Sequence, residues 1–378
     1  MAELEGRDAD SFEAMARDHL AQHVRIGQPV SFNPALMRDL AGQGLFRPFY
    51  PKEFGGTGSG RVSATLLCNI REGLARVSPE FSTSFATQLG GFFVPALHAS
   101  DSVRQKWIKP IVAGEAVCAV ALTEPDLGSD VASIAMPATK VEGGWRLSGR
   151  KTWIMKAPAA AVFTVFARTS GGGGSRGISA LVVPAASEGV TSTPMETLWP
   201  DVIGNVTFDN VFVPDDNLVG PLDGAFKLGM GIFDAFRPSV GAHVVGLAQS
   251  ALDASVAYAR KRTAFGKRIA EFQAVSHLLA DMATQLRAAR LLVYDAAAIY
   301  DRGDMKAAGP AAAMAKLFAS QAAQFVVDGA LQVHGAAGLE RGHLVEHLYR
   351  EVRPSRIYEG TDQIQREIIS RQILQDRP

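Results

Sequence analysis

Near the carboxyl end, residues 356–371 read RIYEGTDQIQREIISR. Glu359 stands there between Tyr358 and Gly360. Glutamate is seldom buried, so a solvated surface charge is its ordinary reading. The other reading is a general base with a partner elsewhere in the chain. A free glutamate titrates at about 4.3 and is a feeble base at neutral pH. Burial with water expelled would raise that value into a useful range.

Other stretches could supply what such a base works on. CAVALTEPDLGSD (118–130) runs from apolar residues into Thr123, Glu124 and Pro125, then Gly128, Ser129 and Asp130. Hydroxyls and loop amides of this kind suit a heteroaromatic ring or an amide-bearing ligand. A Pro/Gly turn with Ser129 or Asp130 capping a short helix explains the same residues. KTWIM (151–155) carries Trp153, which can pack on a flat cofactor or fill a core. YARKRTAFGKRIAEFQ (258–273) holds Arg260, Lys261, Arg262, Lys267 and Arg268, suited to phosphates or to a solvated helix end. In HGAAGLERGH (334–343) the glycines allow close backbone approach, and His334 reads as a structural histidine.

Several chemistries are excluded or left without support. GGGGS (171–175) leads toward another strand, whereas a phosphate cradle needs a strand followed by a helix. No His/Cys/Asp/Glu set has metal-ligand spacing, so no metal is expected. There is no G-x-S-x-G elbow and no nucleophile–base set for acyl transfer. Lys+Arg and Asp+Glu both number 38, with no basic stripe, which argues against nucleic acid. Two cysteines, Cys68 and Cys118, cannot build a disulfide framework. The polar N-terminus and the lack of 18 consecutive apolar residues predict a cytoplasmic protein without a membrane span.

The 378 residues are too many for one ordinary core and divide into three segments. Residues 1–116 read as helices, with Asn33-Pro34 starting one and Pro110 and Gly114 ending another. KEFGGTGSG (52–60) interrupts them as a loop. Residues 117–222 hold GWRLSGRKTWIM, AVFTVFART, GISALVVPA and GNVTFDNVFVP. Short strands without intervening helices, with a turn at 142–144, predict an antiparallel barrel or sandwich. Residues 223–378 turn helical and Ala-rich. Val275, Leu279, Met282, Leu286, Ala289, Val293, Ala296 and Tyr300 form one apolar seam, suited to a bundle or a subunit interface. Pro310 is expected to start the next helix, with Met314, Leu317, Phe318 and Phe325 on its apolar face. The fold class is therefore α+β, with a crevice between unlike domains.

In order and over nearly the whole chain, five of these stretches resemble the acyl-CoA dehydrogenase family. They are RPFYPKEFGGTG, TEPDLGSD, VTFDNVFVPDDNLVG, YARKRTAFGKRIAEFQ and RIYEGTDQIQREIISR. The resemblance implies an N-terminal helical domain, a middle antiparallel β-barrel domain and a C-terminal four-helix bundle. It implies a homotetramer, FAD, an acyl-CoA substrate and electrons passed to an electron-transfer flavoprotein. By motif match, Thr123, Ser129, Trp153, Met155, Arg262, Phe265, Gln273, Gln332, Gly335, Thr361 and Gln363 would hold flavin, partly across a subunit interface. Ser129, Asp234, Arg237, Gly360 and Arg371 would face the acyl-CoA. Glu359 would remove the α-proton of the thioester. Its own backbone N–H would be one donor to the carbonyl oxygen, where charge develops.

The resemblance also separates relatives. Those with the base on the earlier helix carry an acid before its arginine, whereas Phe236 precedes Arg237 here. Nitroalkane oxidases use Asp at the Glu359 position, and monooxygenase relatives usually lack the base. Met155 replaces the usual Thr or Ser, whose hydroxyl bonds flavin N5, and thioether sulfur is a weak acceptor. Lys156-Ala157, Ala336-Ala337 and Glu351-Val352 are further departures. Met155 leaves elimination, reduction or oxidase chemistry as alternatives, as is an acyl-carrier-protein substrate. A catalytically silent scaffold is the remaining one. Phe85, Phe92, Phe93 and Phe236 are expected to crowd the pocket toward short, branched or cyclic acyl groups.

Overall fold

The computed structural model describes Leu4 and residues 6–58, 62–171 and 173–375; Ser59, Gly60 and Gly172 of the two glycine-rich loops lie outside them. Five helices come first: α1 (Ala9–His19), α2 (Pro34–Gly42), α3 (Ala64–Val77), α4 (Pro79–His98) and α5 (Asp101–Val112). Asn33 starts α2 as its sequence predicts, its side chain accepting from the Leu36 N–H at 3.1 Å. Pro110 does not end α5 but lies within its last turn. The stop comes at Gly114, whose φ of +71° admits no side chain, since a Cβ would meet the Met37 carbonyl oxygen at 2.4 Å.

Eight strands follow: β1 (Cys118–Ala121), β2 (Ala138–Val141), β3 (Gly144–Met155), β4 (Val162–Arg168), β5 (Ile178–Pro184), β6 (Val190–Met195), β7 (Ile203–Pro214) and β8 (Leu218–Val219). They form two four-stranded sheets, ordered β1-β4-β5-β8 and β2-β3-β7-β6. The two sheets are in keeping with the expected antiparallel barrel or sandwich, except at one pairing: β1 runs parallel to β4, with Cys118 opposite Val162. The reason is the path of the chain, which crosses to the other sheet through β2 and β3 before returning as β4. Alternation along β4 splits its side chains between two cores. Phe163, Val165 and Ala167 pack between the sheets, while Val162 and Phe166 join the helices.

The rest is helical: α6 (Ala225–Lys261), a hairpin of β9 (Thr263–Ala264) and β10 (Lys267–Arg268), α7 (Gln273–Asp301), α8 (Met305–His334), α9 (Leu344–Val352) and α10 (Asp362–Gln375). The middle of the predicted seam on α7, from Met282 to Ala296, is buried. α8 begins five residues before Pro310, because Asp304 caps it by accepting from the Ala307 N–H at 3.2 Å. Its buried face is the expected one only in part, with Phe318 packing against the core. Met314 and Phe325 are exposed, and Ala312, Ala315, Ala319, Ala322, Ala323 and Ala330 face inward. Small side chains let α8 pack closely on α6 and α7. One apolar core runs from α1–α5 into α6–α9 without interruption. Buried Glu72 on α3 reinforces that joint, accepting from Arg290 at 2.9 Å and Tyr294 at 3.0 Å on α7.

Candidate active site

Glu359 lies in the turn between α9 and α10. Its φ is +51° and that of Gly360 is +87°, so two consecutive residues are left-handed. A side-chain-bearing residue in that region is strained, by about 1–2 kcal/mol, and such strain persists only where its surroundings hold it. Here Lys316 Nζ donates to the Gly360 carbonyl at 2.7 Å, and Gln365 Nε2 donates to it at 2.9 Å. Asp362, which starts α10, is gripped by Ser320, Gln321 and Arg356. The effect is to turn the Glu359 side chain inward. Its Oε2 is shut away from solvent and has no hydrogen-bond partner. Burial raises the Glu359 pKa; Arg71, Arg237 and Lys316 pull the other way. Burial also lowers Lys316, to about 8, against the opposing pull of Asp362 and Glu359.

Arg237 sits on α6 beside this turn. Its Nη1 lies 3.4 Å from Asp234 and its guanidinium lies over the Phe233 ring at 5.2 Å. Gly360 and Arg237 are thus gathered around Glu359, whereas Arg371 is exposed on α10. Thr361 caps α10, accepting from the Ile364 N–H at 3.2 Å, and Gln363 is exposed on its first turn.

The middle domain contributes a second face. The Thr152 N–H donates to the Thr123 carbonyl at 2.9 Å, which joins the TEPDLGSD loop to β3. Glu124 belongs to the scaffold of this loop. It accepts from the Ala135 and Met136 amides and from Lys151 Nζ at 2.8 Å. Burial works to raise its pKa, but those donors outweigh it and the carboxyl is held low. Ser129 is exposed. Trp153 is 58% exposed with φ +60°, at an irregularity in the β3–β7 register. A large indole turned to solvent by a strained backbone is not a core residue, and it fits the face of a flat ring system. Met155 follows, its sulfur 2.7 Å from Thr87 Oγ1 on α4. A hydroxyl therefore stands beside the position where the side-chain hydroxyl is lost.

Two further departures from the family pattern meet here. Lys156 forms a buried ion pair with Asp201. Glu351 on α9 accepts from Trp199 Nε1 at 2.7 Å, and the Trp199 indole stacks on Tyr358 with centroids 5.4 Å apart. Residues 199–201 thus fasten the middle domain to Glu351 and to Tyr358, next to Glu359. Nothing in the local sequence of Trp199 announces this.

The remaining predicted residues gather elsewhere. Phe265 and Gly266, with φ of +51° and +77°, form the tip of the β9–β10 hairpin, and Phe265 is 96% exposed. Arg262, Gln273, Gln332 and Gly335 are exposed at the same end of the bundle, where Tyr258 on α6 meets His334 on α8 at 4.5 Å. From Arg237 to Arg262, α6 rises about 37 Å. One chain therefore carries two separate patches of the predicted set.

The pocket expectation needs correction. Phe85 is fully buried against Phe46 and Phe49 in the helical core, and Phe92 is likewise buried. Composition does not show which face of a helix an aromatic side chain takes, and α4 turns Phe85 and Phe92 into the core. Phe93 and Phe236 do pair, at 6.2 Å. Behind Phe93 lies a cavity of about 600 Å³ lined also by His98, Lys227 and Gly231, which neither Glu359 nor Trp153 reaches. Sequence reasoning also missed Arg71 and Lys316. The signal was available: each is a charge on the apolar stripe of its helix, Arg71 beside Leu67 and Leu74, Lys316 between Ala312 and Ala319. Among the described residues no group of three potential ligands could hold a metal ion, and no helix is long and apolar enough to cross a membrane.

The arrangement thus holds a carboxylate oxygen, buried and unpartnered, within electrostatic reach of three cations, and on the middle domain an exposed indole on a strained stretch of β3. Comparison with known proteins defines the class. Profiles for the acyl-CoA dehydrogenase N-terminal, middle and C-terminal domains match residues 7–115, 119–211 and 225–374. The caffeyl-CoA reductase–Etf complex subunit CarC of Acetobacterium woodii is 37% identical over 347 residues, 91% of this chain and 90% of that one. A glutaryl-coenzyme A dehydrogenase in complex with glutaryl-CoA superposes with TM-score 0.88 at 30% identity, covering 98% of this chain and 95% of the other. The FAD complex of PigA superposes with TM-score 0.89 at 28% identity, covering 97% and 96%. The chain belongs to the acyl-CoA dehydrogenase family, an enzyme family whose cofactor is FAD.

Proposed function

We propose that the protein dehydrogenates an acyl-CoA thioester to the 2-enoyl-CoA, with Glu359 taking the α-proton. The observation that carries this is the Glu359 carboxylate itself, inward-turned on a strained turn, with Oε2 dry and unpartnered. A base in that state gains reach and basicity together. The Glu359 backbone N–H is the donor assigned to the thioester oxygen, where negative charge grows as the proton leaves. FAD, when bound, accepts the β-hydride. Thr123, Ser129, Trp153 and Met155 form its ring face, with Thr361 and Gln363 completing that side. Arg262, Phe265, Gln273, Gln332 and Gly335 gather at the far end of α6 from Arg237. We assign their flavin role to a second copy, as in a homotetramer. Asp234, Arg237, Gly360 and Arg371 serve the acyl-CoA. Phe93 and Phe236 limit the acyl group to short, branched or cyclic ones.

An electron-transfer flavoprotein is the assigned electron partner, supported by the A. woodii relative, which is named as a subunit of an Etf complex. That relative is also named a reductase, and Met155 departs from the dehydrogenase pattern. Reduction of a 2-enoyl-CoA by the same groups is therefore the second reading. An anaerobic titration with short, branched, cyclic and long acyl-CoAs, followed by flavin absorbance, tests both. Bleaching by a saturated acyl-CoA supports dehydrogenation. Reoxidation of dithionite-reduced protein by a 2-enoyl-CoA, with no bleaching by any saturated one, supports reduction. A yellow protein indifferent to both removes the proposal.

A further inference from the structure

Arg71 lies on α3 with 3% of its surface exposed. A guanidinium taken out of water requires an opposite charge or a full set of acceptors. Arg71 has neither in its bonded shell. Its Nη1 donates to Ser239 Oγ at 3.0 Å and its Nε to Ser82 Oγ at 3.4 Å, both neutral. Among the described residues no carboxylate is paired with it. Behind it, His243 Nδ1 meets Ser82 Oγ at 3.0 Å, while His243 Nε2 is buried without a partner. Burial and the nearby Arg71 charge both keep His243 neutral, so it supplies no anion.

The acid that faces this cation is Glu359. Tyr358 and Glu359 both lie within electrostatic reach of Arg71, as does the Cys68 thiol. Three cations face Glu359: Arg71 from α3, Arg237 from α6 and Lys316 from α8. Two of them are already engaged. Arg237 has Asp234 at 3.4 Å, and Lys316 bonds the Gly360 carbonyl and feels Asp362. Arg71 alone has no other acid. It also exerts the largest of the three pulls on the carboxyl. A buried cation with no acid of its own thus lies within electrostatic reach of a carboxylate whose buried oxygen has no donor of its own.

We propose that Arg71 is a positioning residue for the base: its guanidinium, braced by Ser82 and Ser239, is the internal counter-charge to the Glu359 carboxylate, whose Oε2 is buried without a partner. This rests on the reading of Glu359 as the base. The device answers a conflict built into the site. Desolvation strengthens the base but would also protonate it before substrate arrives. A fixed charge held back by two hydroxyls offsets part of the desolvation without donating directly to the carboxylate and so blocking it.

The test uses the FAD-loaded protein and 3-thiapentanoyl-CoA. Its C2 protons can be removed, but the sulfur at position 3 has no hydride to give. Exchange of the C2 protons in D2O, read by mass spectrometry across pH without an electron acceptor, reports the base alone. Arg71→Gln should keep FAD and move the acid limb of exchange upward by about one pH unit, with roughly tenfold slower exchange below it. Arg71→Lys, which restores the charge, should return the limb most of the way. A limb unmoved in Arg71→Gln, or moved equally in the Lys variant, would overturn the proposal. So would a rise in KM for glutaryl-CoA over pentanoyl-CoA with the limb in place; that result would make Arg71 a substrate-carboxylate site. Should Arg71→Gln not fold, infrared difference spectra of the native protein against Glu359→Gln read the carboxyl directly. Glu359 ionised at neutral pH supports the proposal and a protonated acid overturns it. Exchange that survives in Glu359→Gln would instead refute the reading of the base.

Discussion

Shortening the base by one carbon is the sharpest probe of how the turn works. Glu359→Asp keeps charge and chemistry and withdraws the carboxylate by about 1.5 Å, one carbon–carbon bond. A mobile loop would move forward to compensate. This turn is held back by Lys316 and Gln365, both bonded to the Gly360 carbonyl, at 2.7 and 2.9 Å. Gln365 also donates to the Glu359 carbonyl at 3.2 Å. Advancing the backbone would break these bonds, at about 1 kcal/mol or more each. The carboxylate should therefore stay retracted. A misplacement of about 1 Å costs on the order of 10²-fold, which is about 2.7 kcal/mol of barrier. The assay is C2-proton exchange with saturating 3-thiapentanoyl-CoA, alongside single-turnover bleaching with the best acyl-CoA. FAD content and thermal midpoint should match the native protein. A loss of under fivefold in exchange would refute the claim that this turn is fixed.

Other outcomes follow from the same geometry. Lys316 is held down to about 8, against 10.5 for an unburied lysine. The unfolded chain then binds the extra proton across that window, so the penalty is complete below pH 8 and relieved as pH rises. The stability difference between native protein and Lys316→Met should shift toward native by up to about 3 kcal/mol over that window; a constant difference in paired thermal melts would contradict this. Trp153→Gly removes an exposed ring and a left-handed strain of about 1–2 kcal/mol. Flavin-free protein should then melt no lower than native while FAD content falls, and full FAD retention would count against the ring site. Lys151→Met leaves buried Glu124 without its cation, which should destabilise by about 3 kcal/mol or more. A thermal shift equivalent to under about 1 kcal/mol would show the ion pair to be unimportant.

The amino-acid order by itself determined the three-segment plan and the family, and it singled out Glu359 as the candidate base. Caps, turns and hydrophobic periods are local, so Asn33-Pro34, the 142–144 turn and the α7 seam were legible without coordinates. The Glu359 motif was legible because it is contiguous. Tertiary structure decided what distant segments do to one another. Pro110 and Pro310 read as helix boundaries, yet capping by Asp304 and packing of the last turn of α5 placed both inside helices. Phe325 read as core and faces outward, because close helix packing selected the alanines. Glu124, singled out with a ligand loop, serves Lys151. Arg71 comes within electrostatic reach of Glu359 from 288 positions earlier in the chain, and Trp199 contacts Glu351 and Tyr358 from another domain. A side chain's period along its own element is written in its neighbours. The charge it will face across a core depends on how whole helices dock, and no local pattern carries that.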